Sequence, residues 1–156
     1  MGRKVFVLVF VALLSPFNLS GAWAKKAPLT IKSDRMEVIE KQNIVVFSGH
    51  VVAKKKDLTI YADRLIVYYT PKGKKREIKK IVALGHVKIK RGEWLAHAGK
   101  AVYFKEQERI VLEDNPQVWQ GENTIRGDRI IYYLNENRSI AEAAPGHKAE
   151  VVIFTD

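Results

Sequence analysis

The stretch Leu58-Thr59-Ile60-Tyr61-Ala62-Asp63-Arg64-Leu65-Ile66-Val67 alternates apolar and water-facing side chains, meets an acid–base pair, and resumes as an apolar run. A period of two places successive side chains on opposite faces of a strand, and β-branched and aromatic residues suit a half-buried sheet. The same period appears at Leu29-Thr30-Ile31-Lys32 and at Val87-Lys88-Ile89-Lys90. Turn chemistry separates such runs at Ser48-Gly49, Lys72-Gly73, Arg91-Gly92, Asp114-Asn115-Pro116, Gly121-Glu122-Asn123 and Pro145-Gly146. Short strands between closely spaced turns predict an all-β, antiparallel sandwich, barrel or jelly roll. The best helical competitor is Asp34 to Lys41, where Met36, Val38 and Ile39 hold no 3.6-residue stripe.

A weak repeat points the same way. Ser33-Asp34-Arg35, Ala62-Asp63-Arg64, Ala98-Gly99-Lys100 and Gly127-Asp128-Arg129 each open an apolar strand, and Asp34 to Gly99 spans the same distance as Asp63 to Asp128. A second signature, Gly49-His50-Val51 and Gly85-His86-Val87, precedes Asp63 and Gly99 by equal steps. Corners at near-constant spacing predict stacked, similar rungs. An array of that kind ends in two edge strands whose backbone groups lack partners.

The first residues set the expected compartment. Arg3 and Lys4 precede an apolar run from Val5 to Leu14, and Ala22-Trp23-Ala24 supplies a small-x-small cleavage site. This is the pattern of a secretory signal peptide over residues 1–24, cut after Ala24, because a membrane span needs about 20 apolar residues. The remainder, 25–156, is the size of one domain. The chain carries no cysteine and a formal charge of +10. Thiol catalysis, thiolate metal sites and disulfides are therefore excluded, and the positive field favours anionic partners. For a secreted chain nucleic acid is the least suitable of these.

Enzymatic signals are poor. His50, His86, His97 and His147 are scattered and form no metal-ligand pair, and no nucleophile elbow, phosphate loop or dinucleotide fingerprint occurs. The expectation is a non-enzyme without metal or cofactor. Basic clusters at Lys54-Lys55-Lys56, Lys72 to Arg76 and Lys79-Lys80, with Lys88, Lys90 and Arg91, read mainly as solvated faces, and Lys72 to Arg76 as a hairpin tip.

Four stretches in order carry a family likeness: Pro28 to Asp34, Val45 to Val51, Leu58 to Val67 and Ile125 to Tyr132. With the signal segment they cover nearly the whole mature chain, and it resembles the LptA/OstA-like family of periplasmic lipopolysaccharide-transport proteins. The resemblance implies an open, twisted antiparallel β-jelly roll in the Gram-negative periplasm, binding the acyl chains of lipid A in an apolar interior. It also implies head-to-tail homo-oligomers. These join inner-membrane-anchored and outer-membrane sister components into a bridge that serves outer-membrane assembly. Where family members often carry a basic residue, this chain has Tyr69, so no role for that charge is carried over.

Alternation selects the inward residues Leu29, Ile31, Val38, Val45, Phe47, Leu58, Ile60, Leu65, Val67, Val87, Ile89, Tyr103, Ile130 and Tyr132. By pattern alone they are ordinary sandwich core; the resemblance turns them into a lipid groove. Two further classes stay open on the sequence: a secreted anion- or polysaccharide-binding module using the basic and aromatic outer surface, and a self-associating structural β-protein with a solid core.

Overall fold

A computed structural model describes residues 27–155. The expected signal segment and its cleavage site lie outside the described residues. The strands are β1 (Thr30–Lys32), β2 (Arg35–Ile39), β3 (Ile44–Lys55), β4 (Leu58–Lys72), β5 (Lys75–Arg91) and β6 (Trp94–Phe104). They continue with β7 (Arg109–Glu113), β8 (Gln117–Gln120), β9 (Asn123–Arg126), β10 (Arg129–Tyr133), β11 (Arg138–Glu142) and β12 (Glu150–Val152). The segment from Asp34 to Lys41 is not an α-helix: β2 is followed by a single 3-10 turn, Glu40–Gln42, closed by Asn43 in the left-handed region at φ 53°.

Pairing is antiparallel throughout and sorts the strands into two layers. The first runs β1, β3, β4, β5, β6, β8, β9, β12, and the second β2, β3, β4, β5, β6, β7, β10, β11. The long strands β3 to β6 belong to both, because each bends at a corner midway along its length. The sheet does not close: β1 and β2 end it on the N-terminal side and β12 and β11 on the C-terminal side, none with a further partner among the described residues. This is the open antiparallel jelly roll that the sequence predicts.

The corners explain the repeat. In β3, Gly49 and His50 lie between the pairs Ser48–Arg64 and Val51–Ala62, so two residues oppose Asp63 alone. In β5, Gly85 and His86 likewise oppose Gly99 between Leu84–Lys100 and Val87–Ala98. An extra residue on one strand bends it and strengthens its twist. Ser48-Gly49, expected to separate two strands, is therefore a bulge inside a continuous one. His50 Nδ1 lies 2.7 Å from Asp34 Oδ2, and His86 Nδ1 lies 2.7 Å from Asp63 Oδ2. A carboxylate only accepts, so Nδ1 carries the proton in each pair. Gly85 must be glycine: its φ is +79°, and a Cβ there would collide with the Asp63 carboxylate. At the next corner the roles invert, with Gly99 N–H donating to Asp114 O at 2.8 Å and Asp114 itself at φ 64°. At the last, His147 Nδ1 sits 3.0 Å from Asp128 Oδ2.

Between the layers lies one apolar cluster. Leu65, Ile89, Leu112 and Ile130 have 0% exposure, and each such side chain stabilises the fold by about 1.5–3 kcal/mol. Alanines contribute to it from both layers, Ala53 and Ala96 from the first and Ala83 and Ala101 from the second. Two packed sheets stand about 10 Å apart, so small side chains on both inner faces leave space that larger ones would fill.

Candidate functional site

The two layers bound a cavity of about 430 Å³ at the strand tips farthest from the corners. Leu29, Leu58 and Ile60 reach it from the first layer and Ile78, Ile81 and Tyr103 from the second, with Ala53 at its base. Its rim is charged. Lys55, Lys56, Asp57 and Arg91 come from the first-layer tips, Lys105 and Glu108 from the second. A volume in this range suits one small ligand or part of a larger one.

The sequence-selected residues divide into three groups. Leu29, Leu58, Ile60 and Tyr103 line the cavity. Phe47, Leu65, Val67, Val87, Ile89, Ile130 and Tyr132 are buried core, and Ile31 and Val45 pack against it partly buried, so these face inward without lining the cavity. Val38 departs from the expectation of an enclosed residue: it pairs with Val45 and so shares its face, yet it is 45% exposed because β2 is the edge and nothing covers it. Met36 on the same strand is 61% exposed for the same reason.

Sequence reasoning missed Ile78, Ile81 and the rim. The bulge between Tyr68 and Tyr69 leaves Lys79 without a partner on β4 and pairs Tyr69 with Ile78, which breaks the alternation where it would have pointed to Ile78. The rim has no local signal, since its members meet only when distant hairpin tips come together.

Electrostatics at the rim follow from its contacts. Tyr103 donates its hydroxyl to Glu108 Oε2 at 3.0 Å, and Lys105 Nζ donates to Glu108 Oε1 at 3.0 Å. Burial pushes the Glu108 carboxyl up, but the hydrogen bonds from Lys105 and Tyr103, with the charges of Lys105 and Lys55, hold it below its ordinary value. Burial raises the Tyr103 phenol, helped by its bond to Glu108, so it stays a neutral donor. Arg91 spans the opening: its Nε donates to Asp57 Oδ2 at 3.4 Å and its Nη1 to the Leu134 carbonyl of the opposite layer at 3.3 Å.

Beyond Arg91 lies a second, polar recess of about 420 Å³, bounded by Trp94, Tyr132, Asn137 and Ser139. Trp94 and Tyr132 stack across the layers there at 4.5 Å. On the outer faces, cations lie over aromatic rings: Lys80 over Tyr68 at 4.5 Å, Arg138 over Tyr133 at 4.3 Å and Lys88 over Tyr61 at 5.8 Å. Among the described residues no group of acidic, histidine or cysteine side chains could hold a metal ion, and no helix is long and apolar enough to cross a membrane.

Known proteins share both the fold and the sequence pattern. The chain is similar to the lipopolysaccharide export system protein LptA of Escherichia coli (strain K12), 24% identical over 130 residues, which covers 81% of this chain and 70% of that protein. It is also similar to the lipopolysaccharide export system protein LptH of Pseudomonas aeruginosa, 24% identical over 144 residues, covering 90% of this chain and 81% of that one. The crystal structure of LptH, described as the LptA-homologous periplasmic component of a lipopolysaccharide transport device, superposes with a TM-score of 0.73. That match has 21% identity and covers 82% of this chain and 96% of the other, which establishes the fold. Residues 30–138, well over half of the chain, match the model of the LptA/(LptD N-terminal domain) LPS transport proteins, and the chain belongs to that family.

Proposed function

We propose that this protein is a periplasmic carrier of lipopolysaccharide that holds lipid A acyl chains between its two β-layers. The observation that carries this is the apolar cavity at the strand tips, walled by Leu58 and Ile60 on one layer and Ile78 and Ile81 on the other. Burying a CH₂ group is worth about 0.8 kcal/mol, so sheltering roughly ten of them gains on the order of 8 kcal/mol. A lipid with several chains therefore leaves a membrane for open water very slowly. A row of similar grooves lets it move between nearly equal sites, and no chemical step is required.

The cavity at about 430 Å³ is small for a multi-chain lipid. Loading then parts the layers, which the open topology allows because among the described residues β1 and β2 do not pair with β12 or β11. Export by a signal peptide cut after Ala24 would bring residues 25–156 to this compartment.

The edges supply the bridge. Met36 and Val38 are exposed at the N-terminal edge, and Val151, Val152, Ile153 and Phe154 at the C-terminal one, at 41–65% exposure for the latter. Strand addition of β12 and β11 of one copy onto β1 and β2 of the next would cover both and continue the groove. The same edges would receive the inner-membrane-anchored and outer-membrane sister domains. Mass spectrometry of the protein isolated from its native envelope tests the proposal. Bound lipid A supports transport; retention on anionic glycans with no lipid supports a polysaccharide-binding module; ligand-free filaments support a structural role.

A further inference from the structure

We propose that the rim formed by Lys55, Lys56, Arg91 and Lys105 is a phosphate-recognition site for the headgroup of an acylated lipid lodged in the cavity. The proposal rests on the lipid-carrier function and adds which part of the lipid the protein reads. Lys55 and Arg91 lie in the same cross-strand row as Leu58 and the buried Trp94, the last row on the inner face. Cations are rare at inward positions, yet here they border the apolar lining formed by Leu58 and Ile60. Four cations share the rim with two carboxylates, Asp57 and Glu108. Each carboxylate serves one cation, Arg91 with Asp57 at 3.4 Å and Lys105 with Glu108 at 3.0 Å. Among the described residues Lys55 and Lys56 form no ion pair.

The surplus is positive and sits where the apolar lining ends, so the complementary ligand is apolar below and anionic above. A phosphate ester attached close to the acyl chains has that form. Arg91 is the group best shaped for it, because a planar guanidinium gives two parallel donors to two phosphate oxygens. Its Nε–H and Nη1–H, which diverge, rest on the Asp57 carboxylate and the Leu134 carbonyl at 3.4 and 3.3 Å, both long for charge-assisted bonds. A phosphate would take the parallel Nη1–H and Nη2–H pair at once. It would also release the contact of Arg91 with the opposite layer, coupling headgroup recognition to the parting of the layers.

The experiment compares binding of the full mature chain to bisphosphorylated lipid A and to the same lipid A enzymatically dephosphorylated. Wild type should prefer the phosphorylated form by about tenfold or more. Arg91→Gln, and separately Lys55→Gln/Lys56→Gln, should bring that ratio toward one while keeping affinity for the dephosphorylated lipid. The double variant removes no ion pair among the described residues, so it decides the matter even if Arg91→Gln fails to fold. Equal wild-type binding of both lipids overturns the phosphate site and leaves the carrier function standing, whereas binding of neither overturns the carrier function itself. Variants that keep the wild-type ratio overturn the residue assignment. Inorganic phosphate at millimolar concentration should not compete, and competition would show a site for free phosphate instead.

Discussion

The Trp94 indole and the Tyr132 ring stack across the two layers at 4.5 Å with an interplanar angle of 24°. This stack closes the space between the layers on the C-terminal side of Arg91 and leaves the apolar cavity on the N-terminal side. Trp94 is 7% exposed and its Nε1 is buried with no hydrogen-bond partner among the described residues. Trp94→Phe should keep the stack and remove the orphaned donor, changing stability by less than about 1 kcal/mol. Trp94→Ala should cost about 3–5 kcal/mol by opening a void. Denaturant melts of the two variants check this, and equal losses would mean that the stack holds nothing together.

The corners give a second prediction. Gly85→Ala forces a side chain into φ +79° and against Asp63, so it should lower stability by at least about 1–3 kcal/mol. Gly73→Ala at the exposed β4–β5 tip meets nothing within 4 Å at φ +60° and should cost less. Thermal melts of the pair separate the collision from backbone strain alone.

The same corners predict a pH dependence. The hydrogen bond to Asp34, then its charge, raises the His50 pKa, and Asp63 does the same for His86. A histidine raised in the folded state contributes stability that is fully present below the unfolded value of about 6.5 and is lost as pH rises through the folded value. Replacing both with glutamine should therefore narrow the gap to wild type between pH 5.5 and 8.5, the variant losing more at the acidic end. Asp128 runs the other way: the Ala144 N–H, then His147, lowers it, so its contribution is present above about 3.8 and lost as pH falls through the folded value. Melts between pH 5.5 and 8.5 measure the histidine effect, and melts of Asp128→Asn at pH below about 5 measure the aspartate's; a difference from wild type that stays constant across its own range would contradict the assignment.

The edges carry a fourth. Removing Val151 to Asp156 takes away β12 and the exposed Ile153 and Phe154. Oligomer size in light scattering should fall while the monomer's cooperative melt remains, because among the described residues β12 pairs only with β9. Association through open edges grows with concentration, so the contrast should be sharpest in concentrated samples.

Alternation made the inner face readable. On β4 the buried set steps from Ile60 and Ala62 to Leu65 and Val67, an odd step at Asp63 that the sequence displays as an acid–base pair between two apolar runs. Val38 could not be judged that way, since alternation gives a side chain's face and not whether another layer covers it. The corners were visible as a repeat, but a bulge inside a strand and a turn between strands use the same Gly-rich text. The rim was out of reach because Arg91 meets Leu134 across 43 residues, a contact made by the stacking of layers and not by any local period.

The central claim, that lipid occupies the space beside Ile60, is tested most directly by the lipopolysaccharide affinity of Ile60→Asp measured alongside its thermal melt. Ile60 lines the cavity, where a carboxylate can hydrate when the layers part, whereas Leu65 at 0% exposure sits in sealed core. Leu65→Asp should unfold the domain, since an unpaired buried charge costs several kcal/mol. Lys88→Asp, whose side chain lies on the outer face over Tyr61, should bind lipid within a few-fold of wild type, about 1 kcal/mol at most. The account predicts that Ile60→Asp melts cooperatively and binds lipopolysaccharide about a hundredfold more weakly. Wild-type affinity in Ile60→Asp, or loss of its cooperative melt altogether, would contradict it.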